Sequence, residues 1–446
     1  MSCLRERIRS NDAALAGPRR TVALAQALSR DWPADVWRKL RDASVLVHCS
    51  SALSAALSLL QLDGLVRRMV LCPPGADIAQ ILQAAEVAQT SVVVSDLYTH
   101  PALAHLPHIA ADRALSGEPA SGKRDRRSEW VLFTSGSTGT AKLVVHTLET
   151  LTARFAATSA GSWGTFYDIR RYGGLVIFLR ALLSGATLVA AEPGEAIDDY
   201  LTRVRTAGCR RLTGTPSHWR RALISPALSG LELDYVRLSG EIADQAILDK
   251  LRARFPEAKI VHAFASTEAG LAFEVDDGRE GFPDSVLGAS TAQFQIKVED
   301  GTLRVRSPGA ALRMLGGDAP LCDAQGFIDT RDAVHFREGR YRFEGRRDGV
   351  INVGGNKIHP EEIEAVLNRH PLVQLSRVRS RKNPILGALA EAEVVLGPGS
   401  ASAPRIHDDL IALCAAHLPP HKRPVAIRFI ESLPLSQSGK LDRAHA

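Results

Sequence analysis

The chain contains 446 residues, which is long enough for two or three domains with their own buried cores. Hydrophobic residues make up 45% and charged residues 23%, ordinary globular values that exclude a disordered, fibrous or disulfide-scaffold chain. The formal net charge of +6 fits an acidic ligand, but it is too diffuse to predict nucleic-acid binding.

The first 130 residues alternate between strand-like and helix-like segments. Val45–Cys49 is typical of a buried strand, and Ala52–Leu62 is an apolar helix. A second strand is predicted at Met69–Cys72, a capped helix at Asp77–Gln89 and a third strand at Ser91–Ser95. This alternation predicts a parallel α/β layer.

The later part of the chain has a different pattern. Short alternating runs between residues 293 and 343 predict an antiparallel β-subdomain, and a strand, a helix over Pro360–Arg369 and further strands follow residue 345. We therefore expect an α/β protein with two domains. Residues 1–344 would form a large domain of parallel-rich sheets flanked by helices plus the β-subdomain, and residues 345–446 a small α+β domain.

Targeting and redox motifs are not evident. The six cysteines are scattered without a C-x-x-C pair, which is typical of a reducing compartment. The most apolar stretch, residues 175–191, contains Arg180 and Gly185 and makes a poor membrane span. We predict a cytoplasmic protein without a membrane span or a nucleic-acid partner.

The segment that follows the strand at residues 131–133 is rich in hydrogen-bond donors. Its glycines let the backbone approach an anion closely, and its N–H groups, hydroxyls and lysine can bind phosphate oxygens. A solvated Ser/Gly turn is the ordinary alternative, but the order of strand, TSGSTG and lysine is more specific, and it differs from a Walker A loop. The predicted phosphate-binding residues are Thr134, Ser135, Gly136, Ser137, Thr138, Gly139 and Lys142.

This segment resembles the phosphate loop (S/T)-(S/G)-G-(S/T)-(S/T)-G-x-x-K of the adenylate-forming enzymes. That family includes acyl- and aryl-CoA synthetases, adenylation domains of nonribosomal synthetases and luciferases. Four further segments resemble family motifs in the family's order, so the resemblance spans roughly residues 130–443. It implies a small C-terminal domain that is mobile.

Residues 263–268 resemble the family's aromatic-G-x-T-E motif, with Ala265 in place of glycine. The resemblance implies that Phe264 stacks on adenine, that Thr267 contacts the α-phosphate and that Glu268 helps to hold Mg²⁺. The chemistry is consistent, because Mg²⁺ prefers carboxylate and phosphate oxygens. A Thr-Glu pair alone is more typical of a helix cap.

Two further motifs involve the ribose and the domain junction. Residues 329–332 resemble a T-G-D element, which implies that Asp332 binds the ribose, although Arg331 replaces the usual glycine. Residues 345–364 resemble G-R-x-D-x-x-I-x-x-G-G-x-K-(I/V)-x-P-x-E-(I/V)-E. This implies that Arg346 contacts the ribose and that Asp348 is the hinge between domains. The glycine pair Gly354 and Gly355 would lie along the tunnel for the thiol.

Residues 433–443 resemble P-x-(S/T)-x-(S/T)-G-K-x-(D/R)-R, in which the lysine, here Lys440, is catalytic for adenylation. A cation at this place can neutralise charge that develops on the α-phosphate. A lysine on a flexible tail is the ordinary alternative.

The acid-binding residues are less well marked. Residues 166–175 lie where the family places its substrate gate, and the candidates there are Tyr167, Asp168, Tyr172 and Gly173. Asp168 resembles an aspartate that binds an α-amino group, but an ion pair with Arg170 or Arg171 is equally compatible. Residues 238–241 resemble a strand end that borders adenine, with Gly240 and Glu241 as candidates. His218 and Trp219 are more typical of packing.

The resemblance implies a two-step, AMP-forming acid–thiol ligase that uses ATP, Mg²⁺ and a small carboxylic acid. The expected thiol is CoA, as in acyl- or aryl-CoA synthetases. An alternative is a stand-alone enzyme that loads an acyl or amino acid onto a carrier protein. A non-catalytic nucleotide-binding relative is the alternative of another class.

Overall fold

A computed structural model describes residues 3–8, 13–97, 100–118, 123–134, 142–155, 161–289, 291, 293–317, 320–353, 355–383, 387–398, 405–436 and 439–442. The strands, in chain order, are β1 (Ala14–Ala16), β2 (Thr21–Ala23), β3 (Ser44–Val47), β4 (Arg68–Leu71), β5 (Val92–Ser95), β6 (His108–Ala110), β7 (Glu129–Thr134), β8 (Lys142–His146), β9 (Ser162–Thr165), β10 (Thr187–Ala190), β11 (Arg211–Gly214), β12 (Tyr235–Ser239), β13 (Lys259–Ser266), β14 (Gly270–Val275), β15 (Phe282–Pro283), β16 (Gln295–Glu299), β17 (Thr302–Arg306), β18 (Arg313–Leu315), β19 (Ile328–Arg337), β20 (Arg340–Arg346), β21 (Ile351–Val353), β22 (Asn356–Ile358), β23 (Val373–Asn383), β24 (Gly387–Leu396) and β25 (Ala426–Phe429). The α-helices are α1 (Leu4–Arg7), α2 (Leu24–Leu28), α3 (Ala34–Leu40), α4 (Ala52–Leu62), α5 (Ile78–Val87), α6 (Leu148–Thr152), α7 (Tyr172–Leu183), α8 (Ile197–Thr206), α9 (Pro216–Ala222), α10 (Gln245–Arg254), α11 (Ser285–Gly288), α12 (Pro360–Leu367) and α13 (Ile406–His417).

Two sheets made mostly of parallel strands form the large N-terminal domain. The first has the order β14-β13-β12-β11-β9-β10-β1-β2, and the second has the order β18-β8-β7-β4-β3-β5-β6. In the first sheet β13 to β1 are parallel, and in the second β7 to β6 are parallel. Since parallel strands end at a common edge, this arrangement brings the loops after β7, β12 and β13 to the carboxyl edges, where ligands bind in open α/β sheets.

The main hydrophobic core lies between these sheets and contains the helices α4 and α7. Helix α4 begins where Ser51 Oγ accepts hydrogen bonds from the N–H groups of Leu53 and Ser54, and all of its residues except Ser54 are buried. Helix α7 is also apolar on nearly all sides and buries residues along its whole length. A helix with so little polar surface is stable only inside a core. Helices α4 and α7 are therefore fixed in place by the packing around them.

A third sheet, of order β15-β20-β19-β17-β16, is antiparallel and forms the β-subdomain. The fourth sheet, β22-β21-β24-β23 with β25 beside β24, packs with α12 and α13 around a core of its own and forms the small C-terminal domain. The change between these sheets falls between Arg346, the last residue of β20, and Ile351. The boundary predicted at residue 345 lies one residue before the end of β20.

The predicted fold class is confirmed. Helix α4 has the predicted bounds, and Asp77 caps α5 as expected, because its carboxylate accepts a hydrogen bond from the N–H of Gln80 at 2.8 Å. The return of β18 from the region predicted as β-subdomain to pair with β8 was not foreseen. Among the described residues, no helix combines the length and apolar character needed to cross a membrane.

Candidate active site

The segment that carries Lys440 is docked on the carboxyl edge of the eight-stranded sheet. Thr215 Oγ1 donates to the carbonyl of Gly439 at 2.7 Å, and the N–H of Leu441 donates to Glu241 Oε1 at 2.8 Å. Gly240 has φ +88°, and a Cβ atom there would lie 3.1 Å from Lys440 Cε. The lysine side chain therefore lies directly against the strand end predicted to border adenine.

Gly439 allows this docking because it lies against the imidazole of His218. A Cβ atom on Gly439 would lie 1.8 Å from His218 Cε1, and the φ of +70° also favours glycine. His218 stacks on Phe166, with ring centroids 5.1 Å apart, and its burial lowers the pKa to about 3, so the ring is neutral. His218 thus packs as expected, but part of its packing surface is the lysine segment.

Four charged groups surround Lys440. Burial lowers the pKa of this lysine below its ordinary value, while the negative charges of Glu241 and Asp332 oppose that shift. The positive charges of Arg346 and Arg171 lower the pKa of Lys440 further. The structure therefore brings together the predicted residues Lys440, Glu241, Asp332 and Arg346.

Asp332 and Arg346 face each other across the paired strands β19 and β20. Burial raises the pKa of Asp332 to about 6, and the charge of Arg346 is the main effect in the opposite direction. Arg331 adopts φ +61°, a left-handed conformation that explains why glycine is usual at this position in the family motif. Arg346 Nε donates to Asp348 Oδ1 at 3.0 Å, which lowers the pKa of Asp348 and links the ribose candidate to the predicted hinge.

Thr267 and Glu268 form the turn between β13 and β14. His146 Nε2 lies 2.7 Å from the Thr267 carbonyl, and the N–H of Ala311 donates to the Glu268 carbonyl at 2.8 Å. The backbone is thus fixed, while the Glu268 carboxylate has no hydrogen bond or ion pair with any described residue. A carboxylate without a partner among the described residues fits the chemistry of a Mg²⁺ ligand.

The Phe264 ring stacks on two other aromatic rings, one on β14 and one on β20 of the β-subdomain. Its ring centroid lies 5.6 Å from that of Phe273 and 5.2 Å from that of Phe343, with nearly parallel planes in both pairs. This stack fixes the Phe264 ring next to the turn at Thr267, and its contact with adenine stays a prediction.

The described ends of the phosphate loop are register partners, since Thr134 on β7 lies opposite Lys142 on β8. The predicted residues Ser135, Gly136, Ser137, Thr138 and Gly139 lie outside the described residues, and so does Gly354. Gly355 is exposed, with φ +88°, and its N–H donates to Asn352 Oδ1 at 3.0 Å.

The predicted acid-pocket residues have different environments. Tyr167 is buried, and its hydroxyl bonds to the carbonyl of Gly214 at 2.5 Å and to Ser239 Oγ at 2.9 Å, which ties the ends of β11 and β12 together. A Cβ atom added at Gly173 would lie 3.7 Å from the Tyr167 ring, an ordinary contact distance. Tyr172 is also buried and lines a small cavity, while Asp168 and Gly173 are partly exposed.

Asp168 forms an ion pair with Arg170, which is one of the two interpretations that the sequence allowed. Arg170 Nε and Nη2 donate to its two carboxylate oxygens, each at 2.8 Å. Arg171 forms no such pair: its guanidinium has no hydrogen bond or ion pair within the described part of the chain, and its charge acts on Lys440. Sequence reasoning missed Arg171, although a charged residue directly before an apolar helix was the available signal.

The chain belongs to the AMP-binding enzyme family: residues 46–311 match that family and residues 362–440 match the AMP-binding enzyme C-terminal domain. It is 25% identical over 350 residues to the mitochondrial acyl-coenzyme A synthetase ACSM4 of Rattus norvegicus, covering 70% of this chain and 59% of that protein. It is 25% identical over 377 residues to 4-hydroxybutyrate–CoA ligase 1 of Metallosphaera sedula, covering 74% of this chain and 64% of that protein. The chain thus spans about three fifths of the length of these curated relatives.

The fold is that of solved adenylate-forming enzymes. The anthranilate CoA ligase AuaEII, solved with anthranoyl-AMP, is 17% identical and superposes with a TM-score of 0.82 over 98% of this chain and 94% of that one. The o-succinylbenzoate CoA synthetase of Bacillus subtilis, solved with its acyl-adenylate, is 18% identical, with a TM-score of 0.77 over 99% of this chain and 97% of that one.

Proposed function

We propose that this protein uses ATP to activate a carboxylic acid as an acyl-AMP and then transfers the acyl group to a thiol, most simply that of CoA. The observation that carries the proposal is the docking of Lys440 beside Glu241, Asp332 and Arg346 through the contacts of Thr215 and Leu441. Family membership supports the same conclusion, and the relatives named above are CoA ligases.

In the first step, an oxygen of the acid forms a bond to the α-phosphorus, and the bond to the bridging oxygen breaks, so that pyrophosphate leaves with the electron pair. The Lys440 ammonium stabilises the charge that develops on the α-phosphate. Arg171, the residue before α7, acts on Lys440 through its charge and would supply a second cation for the incoming carboxylate. Asp332 and Arg346 hold the ribose.

The metal would be held by Glu268 together with the phosphates of ATP, because that carboxylate is unpaired among the described residues. Bound there, Mg²⁺ would neutralise phosphate charge. Phe264 would position the base, and the turn at Thr267 would place a hydroxyl near the α-phosphate.

In the second step, a thiolate attacks the acyl carbon, a thioester forms, and AMP leaves. Lys440 has no role in this step, so the small domain would rotate about Asp348 to bring the Gly354 and Gly355 face to the site. A carrier protein as the thiol source, in place of CoA, is the alternative acceptor. A cytoplasmic location is part of the proposal and is supported by the absence of disulfides among the described cysteines.

The test is pyrophosphate release from ATP with pooled aryl, fatty, short-chain and amino acids, each with and without CoA. We expect release that depends on one pool and continues as turnover only with CoA. A single burst that CoA does not prolong would favour the carrier-protein acceptor. Silence in every pool would contradict the proposal and favour a non-catalytic nucleotide-binding protein.

A further inference from the structure

Three arginines from separate elements converge on one carboxylate beside the small cavity at Tyr172. Arg237 on β12 forms a close ion pair with Glu274 on β14. Arg180 on α7 lies farther off, with Nη2 at 3.9 Å from the same carboxylate oxygen, which is beyond hydrogen-bond distance. The charge of Glu274 also acts on Arg154, which follows α6. Arg237 therefore holds the one carboxylate that the cluster contains.

Arg154 and Arg180 are left without a hydrogen-bond acceptor among the described residues. The Arg180 side chain is only 6% exposed, and neither Nε atom has a partner. The Arg154 guanidinium carbon lies 3.7 Å from the ring centroid of Phe294, and that of Arg180 lies 5.2 Å from the ring centroid of Phe155. Stacking on a ring engages the face of a guanidinium and leaves its in-plane N–H donors free.

An arginine cannot lose its proton in a protein, so these groups stay charged. Burying a charge without a partner costs free energy, and one carboxylate among three guanidinium groups leaves the cluster with a surplus of positive charge. Free in-plane donors from two arginines are the arrangement that binds a carboxylate with paired hydrogen bonds. The cluster therefore has the chemistry of an anion site.

A small cavity extends from Arg154 to Tyr172 at the start of α7. Arg154, Phe155, Tyr172 and Val176 are among the residues that line it. Tyr172, Val176 and Arg180 are spaced by four residues and share one face of α7. That face begins next to Arg171, whose charge acts on Lys440, and it reaches Arg180 after about 12 Å of helix.

We infer that Arg154 and Arg180 form a subsite for a second anionic group on the acid substrate. The substrate class is a dicarboxylic acid, aliphatic or aryl, whose two carboxylates are separated by several bonds. One carboxylate is activated at Lys440, and the other binds Arg154 and Arg180 beside the cavity. The inference rests on the proposed adenylation activity and adds the substrate class to it.

The first experiment compares matched pairs of acids in wild-type protein by pyrophosphate release. The probes are hexanoate with adipate, octanoate with suberate, decanoate with sebacate, and 3-(4-isopropylphenyl)propanoate with 3-(4-carboxyphenyl)propanoate. Paired charged hydrogen bonds predict that at least one diacid exceeds its monoacid by about 10-fold or more in kcat/KM, mainly through KM. Thermal stabilisation of the protein by the same acids without ATP gives a second readout that does not need turnover.

The variants are Arg180→Met and Arg154→Met, which keep side-chain length and remove the charge. Each is expected to remove the advantage of the diacid, about 10-fold in KM, and to change the monoacid by no more than about twofold. Arg38→Met is the matched control, because Arg38 is exposed and its side chain hydrogen-bonds only within its own helix. If one variant fails to fold, the other still decides the result.

The two proposals fail separately. Pyrophosphate release that favours the monoacids, or an equal loss for both acids in the arginine variants, would overturn the anion subsite and leave adenylation intact. Absence of release with every acid would contradict adenylation. In that case, stabilisation by a diacid that both arginine variants abolish would still support the subsite, and equal stabilisation by the monoacid would overturn it.

Discussion

Lys440 is held in the site by its neighbours in the chain. The carbonyl of Gly439 and the N–H of Leu441 make the hydrogen bonds to Thr215 and Glu241, while the Lys440 ammonium has no hydrogen bond to another residue that the structure describes. Burial makes the charged form of Lys440 less stable than in water, and this lowers its pKa. The same low-dielectric surroundings strengthen the attraction between the ammonium and a phosphate. The residue is therefore suited to a step in which negative charge develops close to it.

Lys440→Ala is expected to lower pyrophosphate release by about 100-fold or more, because the cation at the α-phosphate is lost. Thioester formation from a supplied acyl-adenylate should be nearly unchanged, since Lys440 belongs to the first step only. Lys382→Ala, at an exposed lysine of the same domain, is the control. Unchanged pyrophosphate release in Lys440→Ala would contradict the assignment.

Asp332 predicts a dependence of stability on pH. Its pKa is raised to about 6 in the folded protein, above its ordinary value, so folding disfavours the ionised form. The folded state then binds more protons than the unfolded state between these two pKa values, and the contribution of Asp332 to stability is lost as the pH rises through about 4 to 6.

Asp332→Asn removes this ionisation. Near pH 4 the unfolding midpoints in urea of the variant and the wild type should be similar, and near pH 7 the variant should be the more stable. The same variant should bind ATP more weakly. A stability difference that is the same at both pH values would show that another group titrates.

At the level of single elements, the lysine segment depends on close approach of its backbone to α9. Gly439→Ala would place a Cβ atom against the imidazole of His218, and the left-handed φ adds strain. We expect pyrophosphate release to fall about as far as in Lys440→Ala, with thioester formation from acyl-adenylate retained. The measurement is the ratio of the two partial reactions.

Gly230→Ala is the matched control for that variant. Gly230 has a similar φ of +74°, but no atom lies within 4 Å of the added Cβ. Both variants carry the backbone strain, and only Gly439→Ala carries the clash. Equal losses of adenylation in the two variants would mean that strain, rather than docking, explains the effect.

The sequence predicted some elements and contacts of this structure and not others. The pattern of apolar residues was sufficient for α4, because all of its residues except Ser54 are buried and Asp63 and Gly64 follow its last residue. The resemblance to family motifs named Lys440, Glu241, Asp332 and Arg346, and the structure places these four residues near one another, while their roles stay predictions. The packing of Gly439 on His218 could not be predicted, since it depends on contact between segments far apart in the chain.

At the scale of the whole molecule, polar contacts connect the two domains. Asn368 Nδ2, from the small domain, donates to Asp244 Oδ2 at 3.2 Å, and Lys250 Nζ donates to the carbonyl of Val373 at 3.1 Å. The Asn368 contact is buried, and the Lys250 contact is partly buried. A polar interface of this kind suits a small domain that must leave the arrangement for adenylation and enter the arrangement for thioester formation.

Asn368→Asp tests this interface. An aspartate at this position can still accept the hydrogen bond of Ser376, but it would face the carboxylate of Asp244. Like charges at an interface are unfavourable, so we expect about a 10-fold or greater loss of adenylation with the thioester step retained. Asn356→Asp, at an exposed site of the same domain, is the control, and an equal loss there would contradict the interpretation.

The return of β18 to the second parallel sheet has a consequence for how the protein is made. Met314 on β18 pairs with Val144 on β8, so the strand that leaves the phosphate loop stays an open edge until residues 313–315 have emerged from the ribosome. Leu15 on β1 must likewise wait for Leu188 on β10. Pairings this distant in sequence slow folding and expose unpaired strand edges to other nascent chains. The nucleotide site of this protein is therefore completed late in synthesis, and its assembly depends most on protection from aggregation during that interval.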